Sequence, residues 1–241
     1  MILKNLLRRK ARTTLTILGI AIGVAAIIAL GVMASLLENG FTSMMTGSKS
    51  DLLLSQPDTF SLSYSAVDET IVDALAAMPE VARVSGMVQD IVQTPENPFF
   101  FIFGYPAQSY ILERYQIVAG YGLESQQAEQ ARGKPLLLGV AAAEALEKEP
   151  GDTLQLGDSL FRIVGIYQTG DAFEDRGAVI QLVEAQRLFN RTNTVSIIYI
   201  QLKDPGKQAQ FDQRVERLWP DLLLSSTDQY ASRSSMVTVM Q

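Results

Sequence analysis

From Thr13 to Leu37 the chain runs for 25 residues without a charge, and twelve of those positions are Leu, Ile or Val. At about 1.5 Å rise per residue this stretch reaches roughly 37 Å, enough to cross a hydrocarbon layer of ~30 Å with some tilt. The aliphatic residues favour insertion by on the order of 5 kcal/mol, against small penalties from Gly, Ser and Thr. The pattern predicts a membrane-spanning helix. Past it the apolar runs become short. Asp51 to Ser55, DLLLS, follows the break Gly47-Ser48-Lys49-Ser50 and predicts a buried strand. Ser65 with Asp68 reads as a capping box, and Val67, Ile71, Val72, Leu75 and Met78 recur at helical spacing until Pro79. A strand over Ala82 to Val92 completes a β-α-β run.

A matching run closes the chain. Thr194 to Lys203 predicts a strand and Asp204-Pro205-Gly206 a turn; Phe211, Val215 and Leu218 then line a helix stopped by Trp219-Pro220, before a last strand at Asp221 to Ser225. Together the two runs predict a four-stranded α+β layer assembled from both ends of the outer region, with a mostly-β part inserted between them. The insert opens on the aromatic strand Pro98 to Tyr105. A polar, exposed stretch from Glu124 to Lys134 follows, then the strand at Pro135 to Gly139, an alanine-rich helix over Val140 to Glu147, and a hairpin turning at Gly157-Asp158. The predicted fold is thus α+β, with an N-terminal transmembrane helix and a body of split β-α-β units carrying a mostly-β insert. The expected divisions are 1–46, 47–95 plus 192–230, 96–191, and 231–241.

Charge orients the span. Lys4, Arg8, Arg9, Lys10 and Arg12 precede it and no acidic residue comes before Glu38, which keeps the N-terminus in the cytoplasm and places the body outside. These five cations are the expected contacts with the inner membrane surface, where Ile2, Leu3, Leu6 and Leu7 also fit an amphipathic elbow. A signal peptide cut after Ala34 is the competing reading, but its core would be about 7–15 residues, shorter than this one. Gly19 and Gly23 form a GxxxG pair, and Thr16 and Ala26 lie on or near the same face, a stripe small enough for close packing against another helix.

Beyond the span stand 15 basic and 26 acidic residues, a balance of −11 that opposes a nucleic-acid partner. The sequence holds no Cys and no His, which removes disulfides, Ser-His-Asp and Cys-His nucleophile systems and Cys/His zinc sites. Asp171, Glu174 and Asp175 form the tightest acidic cluster. Hard cations favour oxygen ligands, but the spacing is not that of a calcium loop and Arg176 adjoins it, so a solvated turn is the expectation. Asn190-Arg191-Thr192 fits a glycosylation acceptor only as a three-residue match. The aromatic run Phe99 to Tyr105 suits a strand buried on both faces better than a site for apolar cargo.

Four stretches together resemble the FtsX-like permeases of ABC transporters with a MacB-type periplasmic core domain. They are Asn5-Leu6-Leu7-Arg8-Arg9 with Arg12-Thr13, LTILGIAIGVA from Leu15 to Ala25, the segment Leu136 to Gly170, and Glu184 to Leu188. The resemblance implies a non-catalytic permease subunit in a bacterial inner membrane, with residues 231–241 approaching a second span. It also implies a separate cytoplasmic ABC ATPase subunit, since the chain lacks a GxxxxGK[ST] phosphate loop. A second permease copy, membrane lipid and a periplasmic adaptor or lipoprotein are the other implied partners, and no cofactor is expected. From a different class, a single-span anchored binding or scaffold protein fits the same residues.

Overall fold

The computed structural model describes residues 10–47, 52–57, 64–94, 97–130 and 133–226. Lys4, Arg8, Arg9, the N-terminal elbow and residues 231–241 lie outside the described residues. The chain divides into two compact units, Met1–Asn39 and Gly40–Gln241.

Helix α1, Lys10–Gly47, continues past the apolar stretch to the predicted break. Its segment Arg12–Val32 has the length and composition of a span and buries nothing within the structure, unlike the core helix of a soluble domain. Leu15 is 69% and Ile17 62% exposed, on nearly opposite sides of a helix that is apolar all round, the character of a surface that meets lipid.

Among the described residues the body is built on a sheet of ten strands. In chain order its elements are β1 (Leu52–Ser55), β2 (Val67–Asp68), α2 (Thr70–Ala76), β3 (Val81–Val92), β4 (Phe100–Tyr105), β5 (Gln116–Gly120) and α3 (Gln126–Gln130). Next come β6 (Lys134–Gly139), α4 (Val140–Leu146), β7 (Thr153–Leu156), β8 (Ser159–Gln168), β9 (Ala178–Gln181) and α5 (Leu182–Leu188). The chain closes the body with β10 (Thr194–Val195), β11 (Ile197–Leu202), α6 (Gln208–Leu218) and β12 (Leu223–Ser226). The order across the main sheet is β12-β1-β11-β3-β4-β9-β6-β8-β5, with β7 paired to β8; β2 and β10 form a separate pair. Both β-α-β runs therefore deliver their strands to one end, and β3 joins that end to the rest. Its first half pairs with β11 and its second half with β4.

Strict alternation sorts side chains into two cores on opposite faces. Leu52, Leu54, Phe100, Ile102, Ile198 and Ile200 meet the helices α2, α4, α5 and α6. Leu53, Phe103, Tyr105, Ile197 and Tyr199 meet the 3₁₀ turn Tyr110–Arg114 and the segments that follow it. The aromatic strand is thus buried on both faces as predicted, except Phe99 at its mouth, 58% exposed. The hairpin turns at Gly157-Asp158, with Gly157 in the positive-φ conformation (φ 53°) such a turn needs.

One local expectation is corrected. Ser65 caps no helix: Val67 and Asp68 are drawn into a strand against Val195 and Thr194, and Ser65 Oγ instead accepts from the Gln56 amide at 3.2 Å. The Asp68 carboxylate accepts from the Thr70 hydroxyl at 2.6 Å and amide at 2.8 Å, which holds it below the ordinary value. The stretch Glu124 to Lys134 is exposed at most of its described positions as expected, while Ser125 Oγ accepts from the Ala128 amide and Ala128 enters the second core beside Leu123.

Candidate functional site

Gly19 and Gly23 lie one turn apart on α1 with nothing within 4 Å of where a Cβ would stand. Thr16 and Ala26 extend that face, and Thr16 Oγ1 donates back to the Arg12 carbonyl at 2.9 Å, so its polar atom is satisfied inside the helix. Lys10 opens the helix and Arg12 is exposed at the start of the span.

The body holds a second constellation, at the acidic cluster. The expectation of a solvated turn is wrong: Asp171, Glu174 and Asp175 are all buried, Glu174 completely. Phe173 drives the burial, because it enters the second core and packs at a tilt against Phe101, 4.4 Å between ring centres, taking its neighbours inward. Asp171 Oδ1 accepts from the amides of Phe173 (2.9 Å) and Glu174 (3.0 Å), which ties it to the backbone entering the 3₁₀ turn Glu174–Arg176. Asp175 accepts from the Thr169 amide at 2.7 Å, the Thr169 hydroxyl at 2.9 Å and the Gly170 amide at 3.3 Å. Both carboxylates are thereby committed to N–H and O–H donors, which suits a structural turn and not a cation cage.

Glu174 has another task. Its Oε1 pairs with Arg114 and accepts from the Tyr115 hydroxyl at 2.8 Å, while its carbonyl accepts from the Tyr167 hydroxyl at 2.6 Å. Tyr105 and Tyr199 complete a nest of rings, with Tyr115 4.9 Å from Tyr167 and 6.3 Å from Tyr105 between centres. Burial lifts all four phenols well above the ordinary tyrosine value, so they remain neutral donors. For Arg114 burial works against the charge, but Glu174, Tyr115 and Tyr105 together outweigh it and keep the guanidinium protonated. Burial raises the Glu174 carboxyl, and Arg114 and Tyr115 reverse only part of that rise.

The cluster ties three parts of the chain together: the 110–115 turn, β8 and the 169–177 turn. Gly139, at the β6–α4 junction, closes on the last of these, its amide donating to the Gly177 carbonyl at 2.9 Å. A Cβ at Gly139 would stand 2.3 Å from the Asp175 carbonyl oxygen and 2.6 Å from its carbon, both backbone atoms with no room to yield. Gly139→Ala is expected to cost about 1–3 kcal/mol of stability or more, measured as a lower urea midpoint with an unchanged slope.

Sequence reasoning located the acidic cluster but missed Arg114, Tyr115, Tyr105, Tyr167 and Tyr199. One signal was present: Tyr105 and Tyr199 occupy the same face of their strands as neighbouring apolar residues, and buried phenols need a polar partner.

The MacB-like periplasmic core domain family matches residues 13–218, from within the span to the end of α6. The periplasmic region of MacB from Actinobacillus actinomycetemcomitans superposes with a TM-score of 0.59 at 12% identity, covering 78% of this chain and 94% of that one. The extracellular domain of the noncanonic ABC-type transporter YknZ from Gram-positive bacteria superposes with a TM-score of 0.57 at 14% identity, covering 73% and 100%. No curated protein matches the chain. At such identities the likeness is one of fold, whereas the family match takes in most of the sequence. On that match, the chain belongs to the MacB-like periplasmic core domain family.

Proposed function

We propose that the chain is the first span and the extracytoplasmic body of an ABC transporter permease that passes ATPase-driven movement outward to export or extract a substrate. The observation that carries this reading is a family match covering both α1 and the body, in a protein whose span is preceded only by positive charge. The chain would lie in a bacterial inner membrane with its N-terminus cytoplasmic, its basic flank (Lys4, Arg8, Arg9, Lys10, Arg12) against anionic headgroups. Thr16, Gly19, Gly23 and Ala26 would form the face on which a neighbouring helix packs. Residues 47–95 plus 192–230 and residues 96–191 would act as two parts joined through β3. The continuous sheet favours transmission of displacement over local chemistry, and ATP turnover would belong to a cytoplasmic partner.

The test is co-purification of the full-length protein in detergent from its native host. A cytoplasmic ABC ATPase subunit and a second permease copy are expected in the complex. A monomer that associates with no nucleotide-binding subunit overturns the reading in favour of a single-span scaffold.

A further inference from the structure

A shallow trough of about 450 Å³ lies in the body between α4, the loop after it and the outer edge of the sheet. Its floor is apolar: Val118 of β5, Ile166 of β8, and Val140 and Ala143 of α4. Val118 is there because of a bulge. Ile117 pairs with Tyr167 and Ala119 with Ile166, so Val118 has no partner across the ladder, and it is left 46% exposed in the trough.

The rim is predominantly acidic. Glu144, Glu147, Glu149 and Asp152 border the trough with Lys148 as the only cation among them, and none has an ion-pair partner among the described residues. The rim is also fixed in place. Glu147 closes α4 in the left-handed conformation (φ 51°, ψ 49°), Asp152 Oδ2 accepts from the Glu149 amide at 2.9 Å, and the Gly151 amide bonds to the Ile163 carbonyl at 2.7 Å. A rim held before binding loses little entropy when a ligand arrives.

We infer that this trough docks a basic, apolar-faced polypeptide segment of an envelope partner. Charge complementarity selects the sign. A second copy of the chain is disfavoured, because its outer portion carries the same excess of acid, and an anionic lipid surface or nucleic acid is repelled for the same reason. A small apolar cation would leave much of its surface in water, since the trough is too open to enclose it as binding cavities do. An extended segment with Lys or Arg set among aliphatic residues can meet both rim and floor. The inference rests on the permease reading only for the compartment in which that partner is met.

The experiment uses the full chain in nanodiscs of uncharged phosphatidylcholine, titrated with a labelled short peptide alternating lysine and leucine. A glutamate–leucine peptide and tetraphenylphosphonium serve as competitors. Saturable binding is expected, weakened about tenfold or more by Glu144→Lys with Glu149→Lys, weakened by raised salt, and reduced several-fold by Val118→Ser. Both rim positions and Val118 are exposed, and unchanged circular dichroism verifies the fold of each variant. Absence of saturable binding, equal binding by the double variant, or full competition by either competitor overturns the inference. ATPase association without peptide binding overturns this docking site alone, and peptide binding without ATPase association overturns the permease reading alone.

Discussion

Arg114→Met is expected to lower the unfolding free energy of the body by about 3–5 kcal/mol, because it strands the fully buried Glu174 carboxylate without its counter-charge. That is a large share of the total of a typical domain, about 5–15 kcal/mol. Replacing both partners, Arg114→Met with Glu174→Met, is expected to recover much of the loss, since two apolar side chains of similar size cost less than one orphaned charge. Urea unfolding of the full chain in detergent, followed by near-ultraviolet circular dichroism of the tyrosine nest, measures both. A single-variant loss under about 1 kcal/mol would show that the pair is solvated and carries little.

The same pair sets a pH dependence whose sign can be stated. Burial raises the Glu174 carboxyl in the fold, so the folded state binds a proton more readily there than the unfolded chain does. This contribution to stability is complete below the ordinary glutamate value of about 4.3 and fades as pH rises through the raised folded value. The stability of the native protein relative to Glu174→Gln, which cannot titrate, should therefore increase as pH is lowered from neutral toward about 4.3. A difference that stays flat, or grows with rising pH, contradicts the assignment.

The second large effect concerns the span. Ala21→Arg with Ala25→Arg places two cations near the middle of Arg12–Val32, at about 2.5–3.5 kcal/mol each on an insertion scale, which cancels the aliphatic contribution of on the order of 5 kcal/mol. The variant is expected to leave the membrane fraction under alkaline carbonate, while the native chain stays. Retention of the variant would show that α1 is not what holds the protein in the bilayer. In the native chain a reporter fused near Gln241 should lie outside the cytosol, and a mature product beginning at Ser35 would convert the anchor reading into that of a cleaved leader.

Much of the fold was written in local pattern. The strand at residues 82–92 and the hairpin at Gly157-Asp158 depend on near neighbours, and each emerges where its alternation and turn residues put it. Where the reading failed, the deciding partner was distant. Ser65 and Asp68 resemble a helix start until Thr194 and Val195 pair with Val67 and Asp68. Asp171, Glu174 and Asp175 look solvated until Phe173 and Arg114, the latter 60 positions away, are brought against them. A buried charge is legible only together with its counter-charge, and local spacing contains no record of that pairing. The apolar helix was legible because bilayer thickness sets a length that contiguous residues must fill.

Strands β1 and β12 are antiparallel neighbours, and Leu52, the first residue of one, is the Cα partner of Ser226, the last of the other. The incoming and outgoing chain thus share a single doorway, about 5 Å wide at its narrowest. A pull that widens the doorway meets the ladder bonds one after another and peels them like a zip, whereas a pull on both sides together loads the whole sheet at once. Separation of residues 52 and 226 is therefore resisted by only one pair of bonds at a time, the least resistance this sheet offers to any load.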